Sequence, residues 1–473
     1  MPHSVMTILT PRSILVPLLP LLGLLPPLAA QQPKFEKITE ERLQAAYADA
    51  RAACEKVLGA RLEELPALQI AEVDAIAEVI AAENLPSVRL REPDEDKAAA
   101  SATVIGAQIA PLVYAKYAWS TRTFLVSPKT WERTARNLLR PQLTADSTLR
   151  AVMVHELCHA IDDRKFDFTS RLLEAKTADA ITAYSAVMEG HAQLQARRVC
   201  AKSGWTDGFE ALTSSIGALP NKMLLGGEGQ QLLLRAQMAV LTMTYIDGER
   251  FAAAVLEARP ETGARDIFEA PPKDAETILA PQWYLDPASR PARLYDLEPA
   301  IDAFVATFDK DVWSATRSNV TGKQLATGLT MLPKEELDAL LASLRGVRAV
   351  QLVPTAAPQS KAAILVAVEF DSEDAARRWI AITKRVSEHK DETMDKGILR
   401  ITGSKTTELA GDPLRGYLQE KQMRNGGLAF GVSSIDVMQG RVALETIFSG
   451  DPPEVAAHCK LVEDLLGKVK LKK

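Results

Sequence analysis

The chain has 473 residues, of which 47% are hydrophobic and 25% are charged. These proportions exclude a wholly disordered or fibrous chain, and the length suggests two or three domains. The 56 Lys and Arg residues nearly balance the 61 Asp and Glu residues, which leaves a formal net charge of -5. A balance this close gives no support for a nucleic-acid-binding surface.

The first thirty residues have the pattern of a signal peptide. Their one formal charge, Arg12, precedes an apolar run over residues 14–28 and small residues that end at Ala30. This order is typical of a signal peptide that is cleaved after Ala30. A membrane anchor is the alternative, but prolines interrupt a run shorter than the roughly 20 apolar residues that a spanning helix needs. We therefore expect an exported protein, periplasmic or secreted, with no stable membrane insertion after cleavage.

The region up to about residue 325 is predicted to be mainly helical. Apolar residues at three- and four-residue spacing predict the first helix, Thr39–Leu58. The following elements are expected in chain order: a strand at Ala67–Ala71, a helix at Val73–Glu83, a charged loop at Arg89–Ala98, a hairpin of Leu112–Tyr117 and Thr123–Val126 that leads into Trp131–Leu139, a helix from about Asp146 or Ser147, and a long helix at Ala178–Ala201.

The pattern changes after about residue 325 and predicts a smaller C-terminal α+β domain over residues 330–473. Helices are expected at Lys334–Leu344, Ser372–His389 and Pro453–Lys468, and strands at Val350–Val353, Ala363–Phe370, Gly397–Thr402, Leu428–Ser433 and Arg441–Phe448. Because a helix does not separate every pair of strands, the sheet is expected to be partly antiparallel. His389 and His458 lack metal-ligand spacing and are expected at the surface.

Four cysteines, Cys54, Cys158, Cys200 and Cys459, form an even set. Export would permit disulfides between them, and the sequence does not choose among the pairings. Separate buried thiols are an equal alternative, because a chain of this length does not depend on disulfides for its stability.

The helix that begins near Asp146 contains an H-E-x-x-H motif, His155-Glu156-Leu157-Cys158-His159. Residues four apart share a helix face, so both imidazoles can reach one metal ion, while Glu156 lies about 100° round the helix and can reach a metal-bound water. Zinc suits these donors and lowers the pKa of its water towards about 7. Glu156 could then take the water's proton and pass it to a leaving amine. A chance occurrence of the motif is the alternative. Its apolar neighbours, however, predict a buried helix, where polar side chains cost free energy unless they have binding partners.

Zinc needs a third protein ligand. The close third ligand of the metzincin pattern is absent, because Asp162 and Lys165 occupy the positions of its Gly and His. Glu189 and His191 on the later helix are both able to bind zinc, but a two-residue step turns them about 200° apart. Glu189 shares its face with small residues, which let another helix approach, whereas His191 shares a bulky face suited to core packing. We therefore predict that Glu189 is the ligand.

These residues resemble an uncharacterised family of exported bacterial proteins that have a gluzincin-type H-E-x-x-H helix and are remotely similar to thermolysin-like peptidases. The resemblance covers about residues 110–300 and, more weakly, a segment near residue 370. It is carried by His155–Asp163, Met188–Ala192, Tyr245–Gly248 with Phe251, Pro271-Pro272 with Glu276, Ile278, Leu279 and Pro281, and Val368–Ser372 with Asp374-Ala375. It implies a zinc site of His155, His159 and Glu189, with Glu156 as base. The family often has His before the proline matched by Pro281, where this chain has Ala280.

Two pairs of residues near these motifs have open roles. Asp162 and Asp163 could hydrogen-bond a ligand imidazole or could favour the solvent side of the helix. Tyr245 or Tyr284 could donate a hydrogen bond to an oxyanion in the transition state, but a buried structural tyrosine is the simpler expectation.

The predicted fold class is α+β, with a signal peptide at 1–30, a zincin-like metallopeptidase domain at 31–325 and the C-terminal domain at 330–473. The predicted function is hydrolysis of a peptide or protein substrate by a zinc-activated water, with Glu156 as general base. The alternative is a zinc-stabilised binding or scaffold protein with a zincin fold and no turnover. Glu156 favours the enzyme, because a structural metal site has no use for a base. Ala280 and the lack of an evident specificity pocket favour the scaffold.

Overall fold

Helices form most of the N-terminal part of the chain, and a long antiparallel sheet forms the centre of the C-terminal part. The structure is a computed structural model. It describes residues 34–60, 66–90, 94–223, 241–327, 329, 332–354, 361–394, 399–425 and 428–472. The predicted signal peptide and its cleavage site lie outside these residues. The mixed α+β class is as predicted.

The described helices of the N-terminal part follow one another with short connections. They are α1 (Glu40–Leu58), α2 (Val73–Arg89), α3 (Glu95–Ile109), α4 (Pro128–Asn137), α5 (Asp146–Phe166), α6 (Phe168–Glu174), α7 (Ala178–Ser203), α8 (Thr206–Met223), a π-helical turn (Met243–Asp247), α9 (Gly248–Ala258), α10 (Gly263–Glu269), α11 (Ala275–Leu279) and α12 (Gln282–Leu285).

A small three-stranded sheet lies among these helices, with β1 (Leu68–Ile70), β2 (Ala115–Ala118) and β3 (Thr123–Val126) in the order β1-β3-β2. β2 and β3 form the predicted antiparallel hairpin, and β1 pairs with β3 in parallel. Phe124 and Val126 pack in the same apolar cluster as α1 and α5. Leu125 faces the other way and packs with α2. The sheet therefore separates the α2–α3 pair from α5.

Glycines let the long helices of this part approach one another closely. A Cβ atom on Gly190 of α7 would lie 2.0 Å from the carbonyl carbon of Gly248 in α9, and one on Gly208 of α8 would lie 2.2 Å from the carbonyl carbon of Ser147 in α5. Such contacts exclude any side chain, so backbones meet directly at both crossings. The first contact sets the position of α7 on α9, and the second sets the position of α8 on α5.

The predicted loop at Arg89–Ala98 is wrong at both ends. α2 continues through Pro86 to Arg89, and α3 begins at Glu95. The Asp94 side chain accepts a hydrogen bond from the backbone N–H of Lys97, which caps the start of α3. Most of the charged residues of this segment therefore lie at the N-terminus of α3 and not in a loop.

A seven-stranded sheet with the order β5-β6-β7-β11-β10-β9-β8 forms the C-terminal part, and all its neighbouring strands are antiparallel. Its strands are β5 (Trp313–Asn319), β6 (Leu344–Pro354), β7 (Ala362–Phe370), β8 (Leu399–Ala410), β9 (Arg415–Asn425), β10 (Leu428–Gln439) and β11 (Val442–Gly450). Our prediction missed β5 and β9, because both strands are mostly polar and lack a clear apolar alternation. The described part of the sheet contains no parallel pair, so the prediction of a partly antiparallel sheet understated its regularity.

Helices cover both faces of this sheet. The remaining elements are β4 (Tyr295–Asp296), α13 (Glu298–Ala306), α14 (Gly322–Thr327), α15 (Lys334–Ser343), α16 (Glu373–Met394), α17 (Val455–Leu466) and β12 (Lys470–Leu471), which pairs with β4. Trp379 of α16 packs on one face, while Phe304 of α13 and Val462 of α17 pack on the other. α13 and β5 thus belong to the core of this sheet. The domain limits of 31–325 and 330–473 stay predictions, and this packing favours an earlier boundary.

His458 of α17 is fully buried, so its predicted surface position is wrong. It continues the buried stripe of Val462, Leu465 and Leu466 at helical spacing. All four cysteines are free thiols, and Cys54, Cys158 and Cys200 are buried. No helix within the described part of the chain is long and apolar enough to cross a bilayer.

Candidate metal centre

The two histidines of the H-E-x-x-H motif lie on one face of α5. His155 is 4% exposed and His159 is 6% exposed. Their Nε2 atoms are 3.2 Å apart, and the two rings meet edge to face with centroids separated by 4.7 Å. The four-residue spacing on a helix of 3.6 residues per turn brings both imidazoles to the same point.

Glu189 projects from α7 towards these two histidines. Ala192 and Ala196, which share its helix face, are fully buried in the same apolar cluster as α5. Their small side chains let α7 approach α5 closely. His191 points away into another cluster, where its ring lies edge to face against Phe268.

Three ligand atoms therefore meet: His155 Nε2, His159 Nε2 and Glu189 Oε2, each 3.2 Å from the other two. Among the described residues, these three form the group of His, Cys, Asp or Glu side chains whose ligand atoms all lie within 4.8 Å of one another. The Glu189 side chain keeps 25% of its surface exposed. The group is therefore open to solvent on one side.

The charges of the group are strongly coupled. Burial alone would raise the pKa of Glu189, but His159 and His155 hold it well below its ordinary value. Burial alone would lower the pKa of His159, but the Glu189 carboxylate, with smaller effects of Glu156 and Asp162, raises it. The group therefore favours a carboxylate anion at Glu189 and positive charge between the ligand atoms.

Glu156 lies beside this group and outside it. Its Oε2 accepts a 2.5 Å hydrogen bond from the backbone N–H of Tyr117 in β2. Because the hairpin packs on α5, a backbone group from a distant part of the chain fixes the Glu156 carboxylate. A carboxylate held beside three metal ligands is placed to act on a bound water or substrate.

Tyr245 covers the group from the π-helical turn. Its ring stacks on that of His155, with centroids 5.7 Å apart and planes inclined by 27°. Burial, then the charges of Glu189 and Glu156, raise the pKa of its hydroxyl well above the ordinary value. Tyr245 is therefore a hydrogen-bond donor at the site, and π-helical turns are frequent at functional sites.

A partly buried ion pair lies near the same site. Lys116 Nζ in β2 is 2.7 Å from Glu83 Oε2 in α2, and the other Glu83 oxygen accepts hydrogen bonds from the backbone N–H and hydroxyl of Ser120. Burial alone would lower the pKa of Lys116, but Glu83, then Glu156 and Glu189, raise it. A cation therefore lies within electrostatic range of the metal-ligand group.

Sequence reasoning missed both residues of this ion pair. Glu83 continues the buried stripe of Ile76 and Ile80 on α2 at helical spacing. A carboxylate on an apolar stripe is a signal of a buried partner, which could have identified Glu83. Lys116 carries no comparable signal, because only the folding of α2 against the hairpin brings the two together.

Asp162 and Asp163 are both buried, so the solvent-side alternative is wrong for each. Asp162 Oδ2 is hydrogen-bonded to His191 Nδ1 at 2.7 Å, and His191 Nε2 is bonded to the Gln195 side chain at 3.1 Å. Asp163 accepts a 2.8 Å hydrogen bond from the Tyr117 hydroxyl. Both aspartates thus brace the elements around the ligands: Asp162 joins α5 to α7, and Asp163 joins α5 to β2.

The contacts of Tyr284 and Ala280 stabilise the fold around the site. The Tyr284 hydroxyl donates to the carbonyl of Ala270 at 3.0 Å, and its ring packs edge to face on Phe251. Tyr284 therefore has the structural role that we expected, although its side chain is half-buried and not buried. Ala280 follows α11, and its carbonyl accepts a hydrogen bond from the backbone N–H of Trp283.

Comparison of the chain with protein-family models, with curated proteins and with solved structures finds no match. The gluzincin-type resemblance therefore stays a prediction that depends on the motifs quoted above. The geometry of His155, His159, Glu156 and Glu189 is independent of that resemblance.

Proposed function

We propose that this chain is an exported zinc metallopeptidase that hydrolyses peptide bonds in a peptide or protein substrate. The observation that carries the proposal is the convergence of His155 Nε2, His159 Nε2 and Glu189 Oε2, with the Glu156 carboxylate fixed beside them. Two imidazoles and one carboxylate are the protein ligands of many catalytic zinc sites, which keep a further position open.

The separations of the ligand atoms support a zinc ion. Atoms bound at about 2.0–2.1 Å in a tetrahedral arrangement lie about 3.3 Å from one another. The three separations in this site are 3.2 Å. The low pKa of Glu189 adds a ligand that is ionised at neutral pH.

The side chains around the ligands fit the steps of peptide hydrolysis. Zinc held by His155, His159 and Glu189 would polarise the scissile carbonyl and make a water acidic. Glu156 accepts a proton from the attacking water and returns it to the leaving amine. The backbone N–H of Tyr117 holds the Glu156 carboxylate in place for both transfers. The Tyr245 hydroxyl interacts with Glu189 and has a raised pKa, so it is protonated beside the ligands and is the candidate donor to the oxyanion of the transition state.

A zinc-stabilised binding or scaffold protein is the second candidate. The observation that favours it is Ala280, which stands where the resembling family often has His. The position of Glu156 weighs against it, because a structural site uses its carboxylates as ligands or as partners of ligands. Glu156 is instead bonded to a backbone N–H outside the ligand group.

The deciding experiment is metal analysis of the purified mature protein together with a peptide-library cleavage assay, with and without a chelator. We expect bound zinc and chelator-sensitive cleavage. Glu156→Gln should keep zinc and fold but lose about 10²–10⁴ in rate, the usual effect of removing a general base. Glu174→Gln, on the exposed part of α6, is the matched control and should cleave normally. Unchanged turnover in Glu156→Gln would remove Glu156 from the mechanism, and bound zinc without cleavage would favour the scaffold.

Export is the other part of the proposal and has its own test. Protein recovered from outside the cytoplasm should begin at or near Gln31 when its N-terminus is sequenced. A mature form that retains Met1 would contradict export and leave the metal-site proposal unaffected.

A further inference from the structure

A carboxylate of α2 is bound to the hairpin that carries the Tyr117 N–H group. The Glu83 side chain is 4% exposed, and its Oε2 atom lies 2.7 Å from Lys116 Nζ in β2. Its Oε1 atom accepts hydrogen bonds from the backbone N–H and the hydroxyl of Ser120 at 3.2 and 3.3 Å. Ser120 lies in the turn between β2 and β3. One buried side chain therefore holds the hairpin at two points, the strand and the turn.

The position of β2 decides whether Glu156 receives its hydrogen bond. β2 lies at the edge of its sheet, beside β3, in the order β1-β3-β2. The Tyr117 N–H donates to Glu156 Oε2 on α5 at 2.5 Å. Hydrogen bonds weaken steeply as their geometry departs from the ideal, so a small displacement of the strand is enough to weaken this one.

Polar contacts hold β2 on two sides. Because successive side chains of a strand point to opposite faces, Lys116 reaches α2 while Tyr117 reaches α5. The Tyr117 hydroxyl donates to Asp163 of α5 at 2.8 Å. The Lys116 ammonium binds Glu83 of α2. Loss of the Glu83 carboxylate would remove the ionic hold from α2 and let the strand shift relative to α5.

We propose that Glu83 is a positioning residue for the general base. Through Lys116 and Ser120 it keeps β2 where the Tyr117 N–H meets the Glu156 carboxylate. The contacts of Glu83 go to the hairpin, so it acts on Glu156 through the strand. Its effect on rate rests on the proposed hydrolysis, whereas its effect on the Tyr117 hydrogen bond does not.

The hydrogen bond can be measured by NMR without any catalytic activity. Labelling the full chain with 15N-tyrosine gives one amide signal for each of the 8 tyrosines, and Tyr117→Phe identifies the Tyr117 signal by its loss. A short hydrogen bond to a carboxylate moves the amide proton downfield, because such bonds are strong. We expect Glu83→Gln to move the Tyr117 proton upfield, in the direction in which Glu156→Gln moves it.

Glu72→Gln is the matched control. Glu72 is the residue that caps the start of the same helix, and its Oε1 atom lies 2.6 Å from Lys129 Nζ in α4. The two side chains are 69% and 78% exposed, and such pairs contribute little to stability. This variant should leave the Tyr117 signal at its wild-type position.

A second variant tests the same bond if Glu83→Gln does not fold. The double variant with both Glu83→Gln and Lys116→Met removes both charges, so neither is left without a partner. It should also move the Tyr117 proton upfield. A Tyr117 signal that stays at its wild-type position in either folded variant would overturn the proposal.

The rate of peptide cleavage is the second readout. Glu83→Gln should lower kcat by up to about 10²-fold, the loss that a small misplacement of reacting groups can cause, with KM and zinc content unchanged. In the Glu156→Gln background the same substitution should lower kcat no further, because Glu83 acts through Glu156. An equal loss in both backgrounds would show a general structural role and overturn the proposal. Wild-type protein without cleavage, together with a shifted Tyr117 signal in Glu83→Gln, would contradict the proposed hydrolysis and still support the hold of Glu83 on the Tyr117 hydrogen bond.

Discussion

At the scale of single residues, hydrogen-bond partners distinguish the histidine that supports the site from those that can bind a metal. His191 has both ring nitrogens bonded, one to Asp162 and the other to Gln195. The Nε2 atoms of His155 and His159 instead point at each other and at Glu189. A ring whose nitrogens are both used inside the core offers no lone pair to an ion.

This difference predicts opposite outcomes for two substitutions on α7. Glu189→Ala should abolish stoichiometric zinc binding, because it removes one of three ligands. His191→Ala should retain zinc but lower the free energy of unfolding, because it leaves the buried Asp162 without its partner. Zinc content after dialysis and chemical denaturation of both variants measure the two effects. Zinc loss in the His191 variant with retention in the Glu189 variant would reverse the assignment.

At the scale of elements, sequence periodicity was sufficient where a helix has one apolar stripe and clear caps. Thr39–Leu58 was predicted, and α1 spans Glu40–Leu58 with Thr39 as its N-cap. α7 begins at the predicted Ala178 and runs two residues beyond the predicted end. β9 was missed because its few apolar residues become buried only in the assembled sheet, where Leu418 packs in one cluster with α13 and α17. The local sequence pattern therefore predicted helices with a single apolar face. It missed a strand whose burial depends on tertiary packing.

The same distinction between local pattern and tertiary packing applies to the candidate site. The spacing of His155 and His159 and the small-residue face of Glu189 are local properties of two helices, so the sequence was enough to select these residues. The contact of Tyr117 with Glu156 joins residues 39 positions apart, and it depends on how the hairpin docks on α5. No local pattern encodes such a contact.

The crossing of α7 and α9 at Gly190 gives a prediction for an element. In an isolated helix Gly→Ala stabilises by about 1 kcal/mol. Here the added Cβ would lie 2.0 Å from the Gly248 backbone, and overpacking of this kind costs about 1–3 kcal/mol or more. Gly190→Ala should therefore lower the free energy of unfolding and weaken zinc binding through its neighbour Glu189. Denaturant titration and zinc content measure both.

Gly411→Ala is the matched control for this substitution. A Cβ atom on Gly411 would meet no other atom within 4 Å, and its φ is not in the left-handed region. It should leave stability and zinc content close to wild type. Equal behaviour of the two alanine variants would show that α7 and α9 can separate without cost to the site.

His458 gives a pH dependence for the docking of α17 on the sheet. Its two ring nitrogens are hydrogen-bonded to Ser433 of β10 and Thr446 of β11 at 2.9 and 2.8 Å. Burial lowers the pKa of His458 from 6.5 to about 4. As pH falls below 6.5 the unfolded chain therefore takes up a proton before the folded chain does, and stability present above pH 6.5 is lost towards pH 4.

The expected loss from this one group is about 3 kcal/mol over that interval. Denaturant unfolding between pH 7 and pH 4 measures it, with His458→Gln as the comparison. The variant should be less stable at pH 7, and its stability should fall less steeply with acid. Parallel curves for the two proteins would show that His458 does not carry this pH dependence.

At the scale of the whole molecule, a network of ion pairs and hydrogen bonds connects the helical part to the sheet. Arg290 pairs with Asp274 and Glu276 at 2.7 and 3.1 Å, and Arg293 pairs with Glu276 at 2.5 Å. Arg293 Nε also donates to the carbonyl of Arg345 in β6 at 2.8 Å. Glu276 was part of the motif that resembles a peptidase family. In this structure its role is to anchor the chain between the two parts.

A buried carboxylate of the sheet also binds the segment that joins the two parts. Glu369 of β7 is 1% exposed, and its Oε1 accepts hydrogen bonds from the backbone N–H groups of Leu294 and Tyr295 at 2.6 and 3.3 Å. Gly346, which pairs with Glu369 across β6 and β7, leaves room for Arg293, since a Cβ there would lie 3.1 Å from Arg293 Nε. The segment between the parts is therefore fixed at both ends, and Phe35–Lys473 form one compact unit.

Arg293→Ala tests whether this anchoring couples the two parts. The substitution leaves the Arg345 carbonyl without its side-chain donor and weakens the hold on Glu276, at a cost of about 1–3 kcal/mol. We expect a lower unfolding temperature and faster chymotryptic cleavage at Leu294 and Tyr295 under native conditions. Lys334→Ala removes an ion pair with Asp338 whose partners are 83% and 57% exposed, and such pairs contribute about 0–1 kcal/mol, so it is the matched control. If Arg293→Ala is cleaved as slowly as Lys334→Ala, the Arg293 side chain is not needed to hold this segment. The hydrogen bonds of Glu369 would then be sufficient to hold the two parts together.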